Sequence, residues 1–405
     1  MVQPLATRLT AICSMPIGAP RRKIEKLVPV VSASGCGMTT CAAAPSGTAS
    51  AAAATAARIE WSESMSQHNT MIPAVSAAAY DAARHRAAFL DRSHRGRIVV
   101  SGAERASYLQ GLLTNDIVAL KPGQGCYAAY LTAQGRMIAD LYAYELGHVM
   151  LLAVTGGVKD SVMAKLDQFI FSEDVQLGDV TETFAQIAIV GPGAAAAVAS
   201  IVSGVGEDAL YEMPEHANVR GEWAGGAAIV TRVTDLGEPG FDLYVDHPQA
   251  GALKETLINA GVVELDAATA EALRVESGAP LFGRDMDEET IPLEAGIEAR
   301  AISFSKGCYV GQEVIIRVLH RGHGRVARKL VGLTLDGDRV PEAGSMIRSG
   351  DREIGHVTSS TASPALKRPI ALAYVHRDFL EPGTAVTVGD QSATVTALPF
   401  VHRQG

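Results

Sequence analysis

Of the 405 residues only five are cysteine and two tryptophan, and aromatic side chains make up 5% of the chain. Cys13, Cys36, Cys41, Cys126 and Cys308 include no C-x-x-C pair and no histidine at zinc-ligand spacing. That excludes a disulfide framework and a structural zinc site, no metal is expected, and each thiol has to be judged alone. Scattered free thiols suit a reducing compartment, so the cytoplasm is the default location, or the mitochondrion if the host is a eukaryote. No apolar run reaches the roughly 18–20 residues that span a bilayer, so no membrane association is expected. Excess positive charge is missing too: 35 Lys and Arg against 44 Asp and Glu leave a formal charge of -9, which argues against direct binding of nucleic acid. P-loop, G-x-G-x-x-G, H-E-x-x-H and G-x-S-x-G patterns are also lacking, which leaves nucleotide binding, zinc hydrolysis and Ser-hydrolase chemistry without a motif.

What is present begins with an Ala/Ser/Thr-rich extension over residues 1–77, expected to be disordered. Its balance of Arg8, Arg21, Arg22, Lys23, Lys26 and Arg58 against Glu25, Glu60 and Glu63 fits either a transit peptide or a start placed upstream of Met65 or Met71. From residue 78 the pattern is that of a folded α+β chain. Helices are expected over 78–90, 104–113, 159–169, 194–201, 249–260 and 267–278, and strands over 97–100, 149–154, 187–190, 227–231 and 241–245. Strands at 127–132 and 137–145 flank a tight turn at 133–136. Six short β-runs follow at 330–335, 345–348, 353–360, 370–375, 385–388 and 393–397, with the spacing of a small antiparallel barrel and a boundary near 328.

One segment stands out chemically. Lys306-Gly-Cys-Tyr-Val-Gly-Gln-Glu313 sets Cys308 between Gly307 and Gly311, with Lys306 before it and Glu313 after it. The glycines allow close backbone approach, and Lys306 together with Arg317, His320, Arg321, His323, Arg325, Arg328 and Lys329 would favour a thiolate. The alternative is a buried cysteine on a turn beside a solvated basic strand.

The same segment resembles the K-G-C-Y-x-G-Q-E signature of the YgfZ family of folate-binding proteins, in which Lys306, Gly307, Cys308, Tyr309, Gly311, Gln312 and Glu313 fill every fixed position. Asp91–Arg97, Leu109–Asp116, Gln134–Arg136, Gly191-Pro192, Leu273–Gly278 and Ile291–Gly296 resemble further blocks of that family in the same order. The resemblance implies a three-domain ring related to the glycine-cleavage T-protein: a folate-binding region over 78–328 in two subdomains and a barrel domain over 329–405. It implies tetrahydrofolate in the ring and Cys308 as the functional thiol, in transient contact with iron-sulfur clusters. Its partners would be iron-sulfur client or assembly proteins, including tRNA-thiomethylating enzymes, and the chain would act as a monomeric accessory protein rather than a classical enzyme. The alternative is a folate-dependent aminomethyl or one-carbon transferase.

Carried over by resemblance, Glu238 holds the pterin, Arg274 lies near the folate, and Arg284 suits the carboxylates of its tail. Glu238 reads equally as a loop acid, and Arg274 as a structural ion pair. T-proteins carry adjacent carboxylates where this chain has Ala139-Asp140, so the first is missing and aminomethyl transfer is expected to be disfavoured. Asp140 either lines the pocket or caps a strand, and Asn115 either caps a helix or contacts ligand.

Overall fold

The computed structural model describes residues 75–320 and 324–402. The expected extension over 1–77, including Cys13, Cys36 and Cys41, falls outside these residues apart from its last three. A short helix α1 (Ala77–His85) opens the described chain, capped by the Ser76 side chain accepting from the amide of Ala79. It stops well before residue 90. Ala88–Asp91 is instead strand β1, because Ala-Phe-Leu fits either period and pairing with Ile187–Val190 and Val263-Glu264 decides it.

Two sheets and a barrel carry the fold. The six-stranded sheet runs in the order β11 (Val263–Glu264), β1, β7 (Phe184–Val190), β10 (Gly240–Asp246), β9 (Gly226–Val233), β8 (Asn218–Trp223). The five-stranded sheet runs β3 (Gly125–Leu131), β4 (Met137–Glu145), β5 (Met150–Val154), β2 (Gly96–Ser101), β6 (Gln176–Asp179). After residue 328, the strands β12 (Arg328–Leu335), β15 (Arg368–His376), β14 (Arg352–Ser363), β13 (Met346–Ser349), β16 (Ala385–Val388) and β17 (Gln391–Thr396) close into a barrel around Leu333, Val357, Ala373 and Val395. Each of its six strands overlaps one of the six β-runs expected from sequence.

Strand alternation assigns the two faces of each sheet. In β4, Ala139, Leu141 and Ala143 join an apolar cluster with α2 (Arg105–Leu112) and α3 (Lys159–Asp167), which sends Asp140, Tyr142 and Tyr144 to the opposite face. In β10, Phe241, Leu243 and Val245 pack on α4 (Ala194–Ile201) and α6 (Ala250–Asn259), which sends Asp242 and Tyr244 the other way. Tyr144, Leu151, Ala153 and Tyr244 share one cluster, so these second faces meet. The chain crosses from one sheet to the other directly between β1 and β2, and Arg92 and Arg95 ride on that crossing. Among the described residues no helix is long and apolar enough to cross a membrane.

Candidate functional site

The seam between the two sheets holds an unusual density of polar side chains. Tyr127 of β3 lies opposite β4, and its hydroxyl donates to Asp140 Oδ2 at 2.7 Å. Burial pushes the Asp140 carboxyl above the ordinary range, partly opposed by the Tyr127 hydrogen bond and by the charges of Arg95 and Arg300. The Tyr127 and Tyr142 rings stand 5.2 Å apart, Tyr142 lies 5.2 Å from the His216 imidazole, and the Arg300 guanidinium covers the Tyr127 ring at 5.2 Å.

A chain of hydrogen bonds continues from there. Arg92, buried to 2% exposure, donates to Asp235 Oδ1 at 2.8 Å and to Asp242 Oδ1 at 3.2 Å. Arg95 donates to the second oxygen of Asp235 at 3.2 Å. Gln186 donates to Asp242 Oδ2 at 2.8 Å while its carbonyl accepts from the fully buried Arg97 at 3.4 Å. Burial alone would raise the Asp235 carboxyl, but Arg92 and Arg95 outweigh it and hold it well below the usual range. Asp235 is therefore fixed and charged, and Asp242 is fixed by Arg92 and Gln186. Asp140 makes no ion pair within 4.0 Å among the described residues, and it is the one of the three whose proton affinity is raised. A flat heteroaromatic ring bearing N–H groups suits this set of adjacent tyrosine rings, a carboxylate of raised proton affinity and an imidazole.

The residues singled out from sequence are spread over four places. Asn115 is near the seam, but its amide donates to the carbonyls of Tyr127 and Arg300 at 2.9 and 3.1 Å, so it braces backbone rather than capping a helix. Glu238 accepts from Arg84 at 2.6 Å, and Arg84 also pairs with the fully buried Glu276, to which Tyr80 donates at 2.6 Å. Arg274 and Glu276 lie on helix α7 (Ala267–Glu276) and point apart: Arg274 holds Glu271 and Asp285 at 2.7 Å each and Ser359 of the barrel at 2.7 Å. Arg284 also pairs with Glu271, at 3.1 Å. None of the three has a bond to Asp140, Asp235 or Asp242.

Cys308 is exposed and unpaired, as Cys126 is unpaired, in a loop running into helix α10 (Gln312–His320). That helix replaces the basic strand considered from sequence. Lys306 is turned away from the thiol: its ammonium donates to the carbonyls of Gln110, Leu113 and Asn115 at 2.6–2.8 Å, closing the C-terminal end of α2. Tyr309 is buried beneath it, 5.2 Å from the ammonium. Gly311, at φ 85°, packs on the 133–136 turn so tightly that a Cβ would sit 2.5 Å from the Thr132 carbonyl oxygen. Glu313 pairs with Arg317 at 2.5 Å, Arg328 with Glu294 at 3.4 Å and Lys329 with Glu298 at 3.8 Å. Lys306, Arg317, Arg328 and Lys329 are thus engaged elsewhere, His320 and Arg325 are exposed, and Arg321 and His323 lie outside the described residues.

The GCVT N-terminal domain matches residues 48–306, and the glycine cleavage T-protein C-terminal barrel domain matches residues 328–402. The chain belongs to the glycine-cleavage T-protein family. Among its T-protein relatives, the aminomethyltransferase of Rubrobacter xylanophilus is 33% identical over 81% of this chain and 86% of its own length. That of Streptomyces coelicolor is 32% identical over 80% and 88%. The fold is that of the glycine cleavage system aminomethyltransferase T from Bartonella henselae, with a TM-score of 0.73 at 24% identity, covering 86% of this chain and 98% of that one.

Set beside the family pattern of adjacent carboxylates, the pair Ala139-Asp140 reads differently in three dimensions. Ala139 is fully buried among Leu109, Leu141 and Leu152, where a carboxylate would be stranded in an apolar core. The position that reaches the seam is 140, and it carries the acid. The expectation that aminomethyl transfer is disfavoured rested on position 139, which does not reach the seam. The alternation of Asp140, Tyr142 and Tyr144 with Ala139, Leu141 and Ala143 was the sequence signal for this face. His216, Arg300, Asp235 and Asp242 carry no local signal.

Proposed function

We propose that this chain binds tetrahydrofolate at the seam between the two sheets and transfers a one-carbon unit of the aminomethyl class, with Asp140 as the group that holds and releases the proton. The observation that carries this reading is the position of Asp140: half-buried in the seam, bonded to Tyr127, without an ion pair among the described residues, and raised in proton affinity. Tyr127 and Tyr142, whose rings touch each other, would form one wall of the pteridine site, and Arg300 and Arg95 would temper the charge that forms on Asp140. Tetrahydrofolate, when bound, supplies the nitrogens that accept the one-carbon unit. The test is single-turnover transfer from a lipoyl-bound aminomethyl donor to tetrahydrofolate. Wild type is expected to be active and Asp140→Asn to be slower by about 10²-fold or more with folate binding retained. Equal rates for the two, or an inactive wild type, would overturn it.

A second reading, that of a YgfZ-type accessory protein in assembly or repair of 4Fe-4S proteins, is favoured by one observation. The Cys308 thiol is exposed on a loop pinned at Lys306, Tyr309 and Gly311. Complementation of a cell lacking its YgfZ-type protein separates the two. Restoration by wild type and by Asp140→Asn but not by Cys308→Ser selects the accessory role.

A further inference from the structure

His216 sits in the turn that enters β8 and holds a left-handed backbone, φ 64°, which is uncommon for a residue with a side chain. Its amide donates to the Arg232 carbonyl at 3.1 Å, so the turn is fastened to β9 and the ring is held facing Tyr142. The side chain is 12% exposed. Its Nε2 lies 3.6 Å from Glu215 Oε1, whereas Nδ1 is buried with no protein partner among the described residues. A buried ring nitrogen without a partner is unfavourable, and a hydrogen bond donated by a ligand would offset that. The charged and titratable groups facing the ring are Glu215 beside it, Asp235 of the β9–β10 loop, Arg300 and Tyr142. Burial, with the Arg300 charge, lowers its proton affinity against the pull of Glu215 and Asp235. Glu215 is the acid nearest Nε2, and a neutral imidazole that carries its proton on that nitrogen has Nδ1 as an acceptor.

We propose that His216 is a specificity-determining residue of the seam, its neutral imidazole accepting a hydrogen bond at Nδ1 from an N–H of the pteridine ring. This rests on the folate reading above. An acceptor here distinguishes a ring edge that donates from one that does not, because the wrong edge leaves the nitrogen unpaired. Protonation of His216 would turn the acceptor into a donor, so affinity should fall as pH drops below the ordinary imidazole range.

The experiment is calorimetric titration of the full-length protein with tetrahydrofolate, under reducing conditions, for wild type, His216→Asn and His216→Phe, with thermal unfolding to confirm folding. Asparagine tolerates the left-handed backbone and places its carbonyl oxygen where Nδ1 stood. Phenylalanine fills the space without an acceptor. The expected result is binding at least tenfold weaker for His216→Phe, recovered to within about threefold by His216→Asn, with the acid-side loss of affinity seen only in wild type. Equal affinity for wild type and His216→Phe overturns the proposal, as does equal weakening of both variants. If wild type itself does not bind tetrahydrofolate, the folate reading fails first and this inference with it. If wild type binds and only the variants behave otherwise than expected, the folate reading stands and the role of His216 alone falls.

Discussion

The Asp140 seam and the Cys308 loop differ in where their charges go. At the seam, Asp235 and Asp242 are tied to Arg92 and Arg95 while Asp140 is left with a tyrosine hydroxyl, so one proton-bearing group stands apart in a rigid polar frame. In the loop, three residues are spent on anchoring, Lys306 on three carbonyls, Tyr309 on burial and Gly311 on a backbone contact, while the thiol faces outward. Charge near a reactive group in sequence therefore says little about its activation. What matters is whether the charge has another partner in the fold.

The comparison can be broken most forcefully at Asp140, where the loss of about 10²-fold or more in transfer for Asp140→Asn would leave the loop untouched. Next in size is the anchor. Lys306→Met removes hydrogen bonds from a charged donor to Gln110, Leu113 and Asn115 and should lower unfolding stability by about 2–3 kcal/mol in urea titration. An unchanged midpoint would show that the loop does not depend on it. Gly311→Ala forces a Cβ against the Thr132 carbonyl at an unfavourable φ and should cost about 1–3 kcal/mol in the same titration.

A smaller effect sharpens the seam. Because the Asp140 carboxyl is raised by folding, the folded chain keeps a proton that the unfolded chain has lost between the ordinary carboxylate value and the raised one. Stability from this residue falls as pH rises through that window. Asp140→Asn should therefore melt higher than wild type above the window and converge with it towards acid, read by thermal unfolding across pH 4–8; an unchanging difference would count against the raised value. Smallest of all, Cys308→Ser should stay within about 0.5 kcal/mol of wild-type stability and leave transfer unaltered, since the thiol packs against little.

The barrel was legible because its strands are short, alternate cleanly and are punctuated by Gly, Asp and Pro; all six appear where the pattern placed them. The hairpin at 133–136 and the helix ending near 276 were legible for the same local reasons. The first helix was misjudged because Ala-Ala-Phe-Leu satisfies helix and strand alike, and partners near residues 190 and 263 settled the matter. The T-protein relationship also was in the sequence, carried by ordered motifs over most of the chain. The sites were not. Glu238 meets Arg84 across 154 positions, Arg92 meets Asp242 across 150, and Asn115 reaches Arg300 across 185. Local pattern determined which segments are strands and helices and which face of β4 is apolar, because side-chain periodicity is a property of a few neighbouring residues. Only the tertiary structure decided that Asp140 has a tyrosine hydroxyl and no ion pair and that Lys306 is spent on backbone, because the partner that neutralises a charge or leaves it alone lies far along the chain and is brought to it only by folding.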